Sequence, residues 1–271
     1  MIPILGNSGS QIEVIRKDGS WVVKKTFPPA EAARMLSQVE KMRCETPQGF
    51  FFPRIISVDA ESGSYLMQHV AGEDMVSLTS WSPPSVFLET IDRLRCFLTN
   101  VQVSAGVEAF PTAKWEEKMN RTLETIAVRC PILLEPALSA ADRMRSLRPG
   151  AIPAGPCHGD FSLSNMLVTP RGICLLDPIS SPIETPIEDA AKLLMDMDTA
   201  WSASRFVGSF DRSKVEIRWR RAASDLRQAI EKVCDADALE AMRGLCMIRV
   251  APYSTDSASV EILKAGLKGV A

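Results

Sequence analysis

The chain has 271 residues, 46% of them apolar and 24% charged. That is the balance of a water-soluble globule with room for one large domain or two lobes, and it excludes a disordered chain, a collagen-like repeat and a small disulfide scaffold. The 31 basic and 33 acidic side chains leave a net charge of −2, which disfavours a protein that lives on nucleic-acid phosphate contacts. No apolar run approaches the roughly 20 residues that span a bilayer. The start, Met1-Ile-Pro-Ile-Leu-Gly, lacks the basic end and long apolar stretch of a secretory signal, so the expectation is a cytoplasmic protein without a membrane span or a nucleic-acid partner.

Taken in chain order, Gln11–Lys17 and Ser20–Thr26 read as strands joined at Asp18-Gly19, a two-residue hairpin signal. Residues 30–44 follow Pro28-Pro29 and carry Ala33, Leu36, Val39 and Met42 at helical intervals. Residues 65–70 read as a further strand of the same sheet. After Gly72 the texture changes. Residues 79–85, Thr-Ser-Trp-Ser-Pro-Pro-Ser, read as a linker leading into a helix over 86–103, with Phe87, Ile91, Leu94, Leu98 and Val101 on one stripe. Trp115, Met119 and Ile126 mark another helix. Beyond Asp189 four more helical stretches run nearly to the terminus, broken near Gly208 and at Pro252-Tyr253-Ser254. Strands in front and helices behind predict an α+β protein of two lobes, residues 1–72 and 73–271.

Seven cysteines, odd in number and never spaced CxxC, together with only two histidines, give a zinc site no support. Most of them read as small buried hydrophobes in a reducing compartment. Cys157 abuts His158, but a nucleophile and its base meet in space rather than in sequence.

The informative segment is 149–191. Its first part is too rich in Pro and Gly for a helix, so His158-Gly159-Asp160 lies on a loop. Residues 166–168 and 173–176 are short apolar runs joined by Thr169-Pro170-Arg171-Gly172, with Pro and Gly where a type I turn takes them. Antiparallel pairing in this hairpin sets Asn165, entering the first strand, beside Asp177, leaving the second. Asp160 is on the loop that feeds the same end. Two carboxylates and an amide, all oxygen donors, suit Mg²⁺ shared with substrate phosphates. The spacing from Asp160 to Asn165 equals that of the catalytic-loop Asp and Asn of kinases, and Asp177 takes the later metal-binding position. In that chemistry Asp160 orients an attacking hydroxyl and accepts its proton, while Asn165 and Asp177 hold the metal. Either aspartate taken singly is more often a turn cap than a catalyst; order, spacing and the hairpin favour a nucleotide-phosphate site.

The pattern His158-Gly159-Asp160-x4-Asn165, followed by Leu176-Asp177 and Glu188-Asp189-Ala190-Ala191, resembles the aminoglycoside phosphotransferase/choline kinase family, relatives of protein kinases. The run from Leu175 to Leu193 looks like a bacterial branch associated with capsule and surface-polysaccharide loci. The resemblance implies a two-lobed protein-kinase-like fold with a small β-sheet lobe and a larger helical lobe. It implies transfer of the γ-phosphate of ATP, with GTP as the alternative donor and Mg²⁺ as cofactor, to a hydroxyl of a small-molecule acceptor: a sugar, an amino alcohol or an aminoglycoside-like compound. It also implies that His158 braces the loop and that Asp189 ties the loop to the following helix.

Upstream, the family needs a phosphate-covering loop, for which Gly6-Asn7-Ser8-Gly9-Ser10 is the candidate. It needs a strand lysine; only one of Lys24 and Lys25 points inward because side chains alternate, and the resemblance favours Lys25. For the helical glutamate that pairs with it, Glu40 is preferred to Glu31, which sits where a carboxylate favours the helix start. Gln68, His69 and Val70 correspond to the hinge that contacts adenine. Pro178 stands where many kinases have Phe-Gly, implying a rigid metal loop, and no activation segment separates Asp177 from Asp189; both weigh against a protein kinase. Asp196, Asp198 and Trp201 are candidates for acceptor contact, against a plainer reading as a core tryptophan and solvated aspartates. A non-catalytic nucleotide-binding scaffold of the same fold is the alternative function.

Overall fold

The computed structural model describes residues 3–5, 9–254 and 256–270. In chain order the elements are β1 (Pro3–Leu5), β2 (Gln11–Lys17), β3 (Ser20–Thr26), α1 (Ala32–Met42), β4 (Phe50–Phe51), β5 (Ile55–Asp59), β6 (Ser64–Gln68) and β7 (Glu73–Asp74). There follow α2 (Met75–Trp81), α3 (Pro84–Ser104), β8 (Gly106–Ala109), α4 (Thr112–Arg129), α5 (Leu134–Ser146) and β9 (Ala151–Ala154). The ribbon β10 (Met166–Thr169) and β11 (Gly172–Leu175) precedes five helices: α6 (Pro186–Thr199), α7 (Trp201–Ser204), α8 (Arg212–Ile230), α9 (Ala236–Val250) and α10 (Ser257–Lys268). The chain divides into two compact units, one of residues 1–74 and 165–180, the other of residues 75–164 and 181–271.

In the first unit, β2 and β3 form the hairpin expected from Asp18-Gly19, in register from Lys17↔Ser20 to Gln11↔Thr26. Both turn residues have positive φ, 49° and 78°, the conformation that matches a two-residue turn to the twist of its strands. The sheet runs β1-β2-β3-β6-β5 and is antiparallel throughout. α1 buries Met35, Gln38, Val39 and Met42, a spacing of three, four and seven that defines one helical face. Met35, Val39 and Met42 pack with Phe27, Tyr65 and Met67 in one core cluster. At roughly 1.5–3 kcal/mol for each large apolar side chain buried, tertiary packing rather than propensity holds so short a helix. Its first turn is 3₁₀, Pro29–Glu31.

The ribbon pairs from Met166↔Leu175 to Thr169↔Gly172, as the apolar runs predict. The sequence reading assigned it to the helical lobe. Strand pairing groups it with the first unit instead: β10 pairs with β7 and β11 pairs in parallel with β4, giving the sheet β4-β11-β10-β7.

In the second unit α6 is buried from Pro186 through Met197 and packs against α3, α8 and α9. The Thr185 side chain caps its start, and Ala200, in a left-handed conformation, ends it. Part of the expected linker, Thr79-Ser80-Trp81, is helical and belongs to α2. Among the described residues no helix is long and apolar enough to cross a membrane.

Candidate active site

Strand β3 buries Lys25 to 2% exposure and sets its Nζ 2.8 Å from Oδ1 of Asp177, which remains 33% exposed. The ammonium also lies 5.2 Å from the centre of the Phe27 ring, a favourable place for a cation. Lys24 is only half-buried.

Asp177 follows β11 with φ +55°. Aspartate is among the few residues that tolerate this region, but a following proline disfavours helical backbone. Conformations of this kind persist where the surroundings over-determine them. Here α1 supplies the surroundings. Gln38 Nε2 donates to the Pro178 carbonyl (2.9 Å) and Lys41 Nζ to the Ile179 carbonyl (2.8 Å), while the Ser37 and Ser180 hydroxyls are bonded to each other. Tyr65 OH donates to Gln38 Oε1 (2.8 Å). Burial first, and the Asp177 charge second, push the Tyr65 hydroxyl far above its ordinary pKa, so it stays a donor.

Glu40, expected as the lysine's partner, is exposed, and the carboxylate that Lys25 meets is that of Asp177. The reason is helical phase. Glu40 stands about 200° around the helix from Gln38, and the inward positions belong to Met35, Gln38, Val39 and Met42. Gln38 is the residue that the sequence reading missed, because the expected stripe ran through Ala33 and Leu36, which are exposed, and passed over Met35, whose face Gln38 shares. Glu31 pairs with Arg34 (2.9 Å).

At the end of β6, the Gln68 N–H donates to the Arg54 carbonyl (2.9 Å). That bond uses the Gln68 main-chain amide within the protein and says nothing of its carbonyl. His69 is exposed and Val70 half-buried just past the strand. Of the candidate phosphate loop, Gly6, Asn7 and Ser8 lie outside the described residues, and Ser10 is buried.

Asn165 accepts the Leu176 N–H at its carbonyl (2.8 Å), extending the ribbon one step beyond Met166↔Leu175. Asn165 and Asp177 therefore flank the same ribbon end. Among the described residues no group of three or more His, Cys, Asp or Glu is placed to hold a metal. One carboxylate and one amide are what the ribbon end offers. Hard oxygen donors in so small a number fit Mg²⁺, which fills the rest of its shell with water and phosphate oxygens.

Asp160 lies in the second unit, on a loop pinned to α6. The amides of His158 and Gly159 donate to the two carboxylate oxygens of Asp189 (2.7 and 2.9 Å). The Leu163 amide donates to Asp196 Oδ2 (2.7 Å) and the Ser164 amide to Ser202 Oγ (3.0 Å). Gly159 has φ +83°, a turn only glycine takes without strain. The Asp160 amide donates to His158 Nδ1 (3.3 Å), and the His158 ring stands edge-on to Phe161.

The Asp160 carboxylate is 36% exposed and meets the buried Lys192 of α6, with Oδ1 3.0 Å from Nζ. Burial works against its ionisation, but the charge and hydrogen bond of Lys192, aided by His158 and Arg249, outweigh it and hold the carboxyl below its usual range. Lys192 also escaped the sequence reading. In sequence it stands at helical spacing from Asp189 and Asp196, a polar stripe that reads as an ordinary solvated face.

The expected acceptor contacts have other work. Asp196 is buried and accepts from the Ser202 amide and hydroxyl as well as from Leu163. Asp198 pairs with Arg227 (2.8 Å) and Arg243 (3.2 Å). Trp201 is buried with the Arg205 guanidinium over its ring. A helix packed on three sides turns its polar residues to internal bonds, because a buried polar group without a partner is costly.

A family model described as "Phosphotransferase enzyme family" matches residues 2–224. No curated protein matches the chain in sequence. Among solved structures, the chain is similar to a thermostable mutant of aminoglycoside phosphotransferase APH(4)-Ia in ternary complex with ADP and hygromycin B. That match has a TM-score of 0.60 at 10% identity, over 100% of this chain and 94% of the other. It is similar to a glucosamine kinase in complex with glucosamine, ADP and inorganic phosphate (TM-score 0.56, 11% identity, 96% and 81% covered). A choline/ethanolamine kinase family protein from Mesorhizobium loti gives a TM-score of 0.56 at 15% identity, over 98% and 86% of the two chains. These likenesses show the kinase-like α+β fold. The chain belongs to the phosphotransferase enzyme family, whose members transfer phosphoryl groups to hydroxyls of small molecules.

Proposed function

We propose that this phosphotransferase is a Mg²⁺-dependent small-molecule kinase that moves the γ-phosphate of ATP to a hydroxyl of a sugar, an amino alcohol or an aminoglycoside-like acceptor. Lys25 meets the nucleotide phosphates, and the main chain from Gln68 to Val70 contacts the base. Asn165 and Asp177 hold the metal, which supplies charge neutralisation on the phosphate oxygens when bound with the nucleotide. Asp160 orients the acceptor hydroxyl. The acceptor oxygen forms the new bond to the γ-phosphorus, the bond from phosphorus to the β–γ bridging oxygen breaks, and its electron pair leaves on ADP. The hydroxyl proton passes to Asp160. Because Lys192 makes Asp160 a weak base, positioning rather than early proton removal is its contribution.

The observation that carries this reading is the ion pair of the buried Lys25 with Asp177, at the ribbon end that also bears Asn165. ADP is present in two of the similar structures, with hygromycin B in one and glucosamine in the other. The test is Asp160→Asn. ATP with Mg²⁺ should raise the melting temperature of wild type and variant alike, while transfer to glucosamine, choline or hygromycin B falls by about a thousandfold in the variant. Full turnover in the variant removes Asp160 from the chemistry. A nucleotide-induced shift in wild type with no transfer to any acceptor would instead favour the nucleotide-binding scaffold.

A further inference from the structure

Lys192 is a buried cation in the middle of the most enclosed helix of the second unit. A charge there is costly unless paired, and its carboxylate is that of Asp160. The other charged groups around Asp160 are differently engaged. Arg249 of α9 is ion-paired with Glu188 of α6. Asp189 and Asp196 of α6 accept main-chain amides. His158 accepts the Asp160 amide.

The spacing is informative. Asp189, Lys192 and Asp196 are three and four residues apart and so share one face of α6. Along that face a carboxylate holds the amides of residues 158 and 159, an ammonium holds the side chain of residue 160, and a second carboxylate holds the amide of residue 163. The two aspartates fix the path of the loop, yet neither fixes the rotamer of Asp160, whose side chain is a third exposed. Lys192 reaches it from this face.

We propose that Lys192 is a positioning residue for the phosphoryl-transfer reaction: by holding Oδ1 of Asp160, it sets the direction in which the carboxylate meets the acceptor hydroxyl. The proposal rests on the reading of Asp160 given above. The loop and α6 together form a template in which three side chains of one helical face place one reacting carboxylate, before any substrate arrives. The balance of burial against the Lys192 charge also keeps that carboxylate ionised.

The test uses Lys192→Met and Lys192→Arg, each in wild-type and Asp160→Asn backgrounds, with MgATP and glucosamine, choline or water as acceptor. The methionine variant should lose about 100-fold in kcat, as a misdirected catalytic group does. Its KM for ATP should stay within about twofold, the sign of an interaction that binding does not use. Arginine should restore most of the loss, and methionine should add nothing in the Asp160→Asn background. A second readout needs no turnover. In protein labelled with ¹³C-aspartate, the Asp160 Cγ resonance, assigned by its absence in Asp160→Asn, should titrate at higher pH once Lys192 is methionine. If the methionine variant does not fold, Lys192→Gln takes its place.

Unchanged kcat, an equal loss in both backgrounds, or an unmoved Cγ titration overturns the proposal. If Asp160→Asn alone keeps full turnover, the functional reading has failed, and with it the catalytic purpose assigned to Lys192. If Asp160→Asn is inactive while the Lys192 variants are not, the proposal alone has failed.

Discussion

The first unit holds the main chain after Asp177 by its carbonyls: α1 reaches Pro178 with an amide donor and Ile179 with an ammonium. The second unit does the reverse and holds the loop around Asp160 by its amides, using carboxylates of α6 as acceptors. Both arrangements then present an aspartate, about a third exposed, to a buried lysine. The difference lies in what each can lose. The loop after Asp177 is held by an amide, an ammonium and a hydroxyl, donors that do not titrate in acid. The loop around Asp160 is held by carboxylates that do, so a change of pH in the acid range should act mainly on the second unit.

The largest expected effect is at Asp189, whose two oxygens anchor consecutive amides of the His158-Gly159-Asp160 loop. Asp189→Ala leaves both without their acceptor in a buried place and should cost about 3 to 5 kcal/mol in urea unfolding, two charge-assisted bonds' worth. Asp189→Asn keeps one acceptor oxygen and should lose about half as much by the same reasoning. A loss below about 1 kcal/mol for the alanine variant, no more than one ordinary hydrogen bond, would mean that the loop is not held by its amides and would erase the contrast.

A smaller effect sharpens the first-unit side. Its ion pair is asymmetric, with Lys25 at 2% exposure and Asp177 at 33%. Asp177→Asn leaves a buried ammonium without a counter-charge and should cost about 3 kcal/mol. Lys25→Met leaves a carboxylate that water reaches and should cost less than about 1 kcal/mol, although it should abolish tight binding of MgATP. Equal losses in urea unfolding would show the pair to be equally buried at both ends.

Much of this was legible in the chain. The β2–β3 hairpin followed from Asp18-Gly19 because only residues tolerant of positive φ make so short a turn. The β10–β11 ribbon followed from two apolar runs around Pro170 and Gly172. The assignment of Glu40 failed on helical phase: the expected stripe took Ala33 and Leu36 as inward, but both are exposed, and Glu40 lies one turn on from Leu36. α5 went unread because its buried face is mostly alanine, Ala137, Ala140 and Ala141 with Met144, and alanine gives little hydropathy contrast. The grouping of the ribbon with residues 1–74 depends on pairings to Phe50–Phe51 and Glu73–Asp74, two-residue strands too short to carry any periodicity. Asp196 and Asp198 stayed open between acceptor contact and solvent, because spacing alone does not tell a polar residue facing a ligand from one bonded inside the protein.

The smallest expected effect separates two aspartates of the second unit by the sign of their pH dependence. In the folded state Asp160 is held below its ordinary pKa; burial opposes this, and Lys192 prevails. Its contribution to stability is therefore present above the unfolded value of about 3.9 and is lost as pH falls through the lower folded value. Asp196 is the opposite case: burial raises it, and its bonds to Ser202 and Leu163 only partly offset the rise. Its contribution is full below the unfolded value and is lost as pH rises through the higher folded one. The stability advantage of wild type over Asp160→Asn should thus shrink on acidification, whereas its advantage over Asp196→Asn should shrink as pH rises from acid toward neutrality. Urea unfolding of the three proteins across that range measures both slopes. Slopes of the same sign would mean that Lys192 does not outweigh burial at Asp160, and the charge-held loop would lose the feature that most distinguishes it from the loop after Asp177.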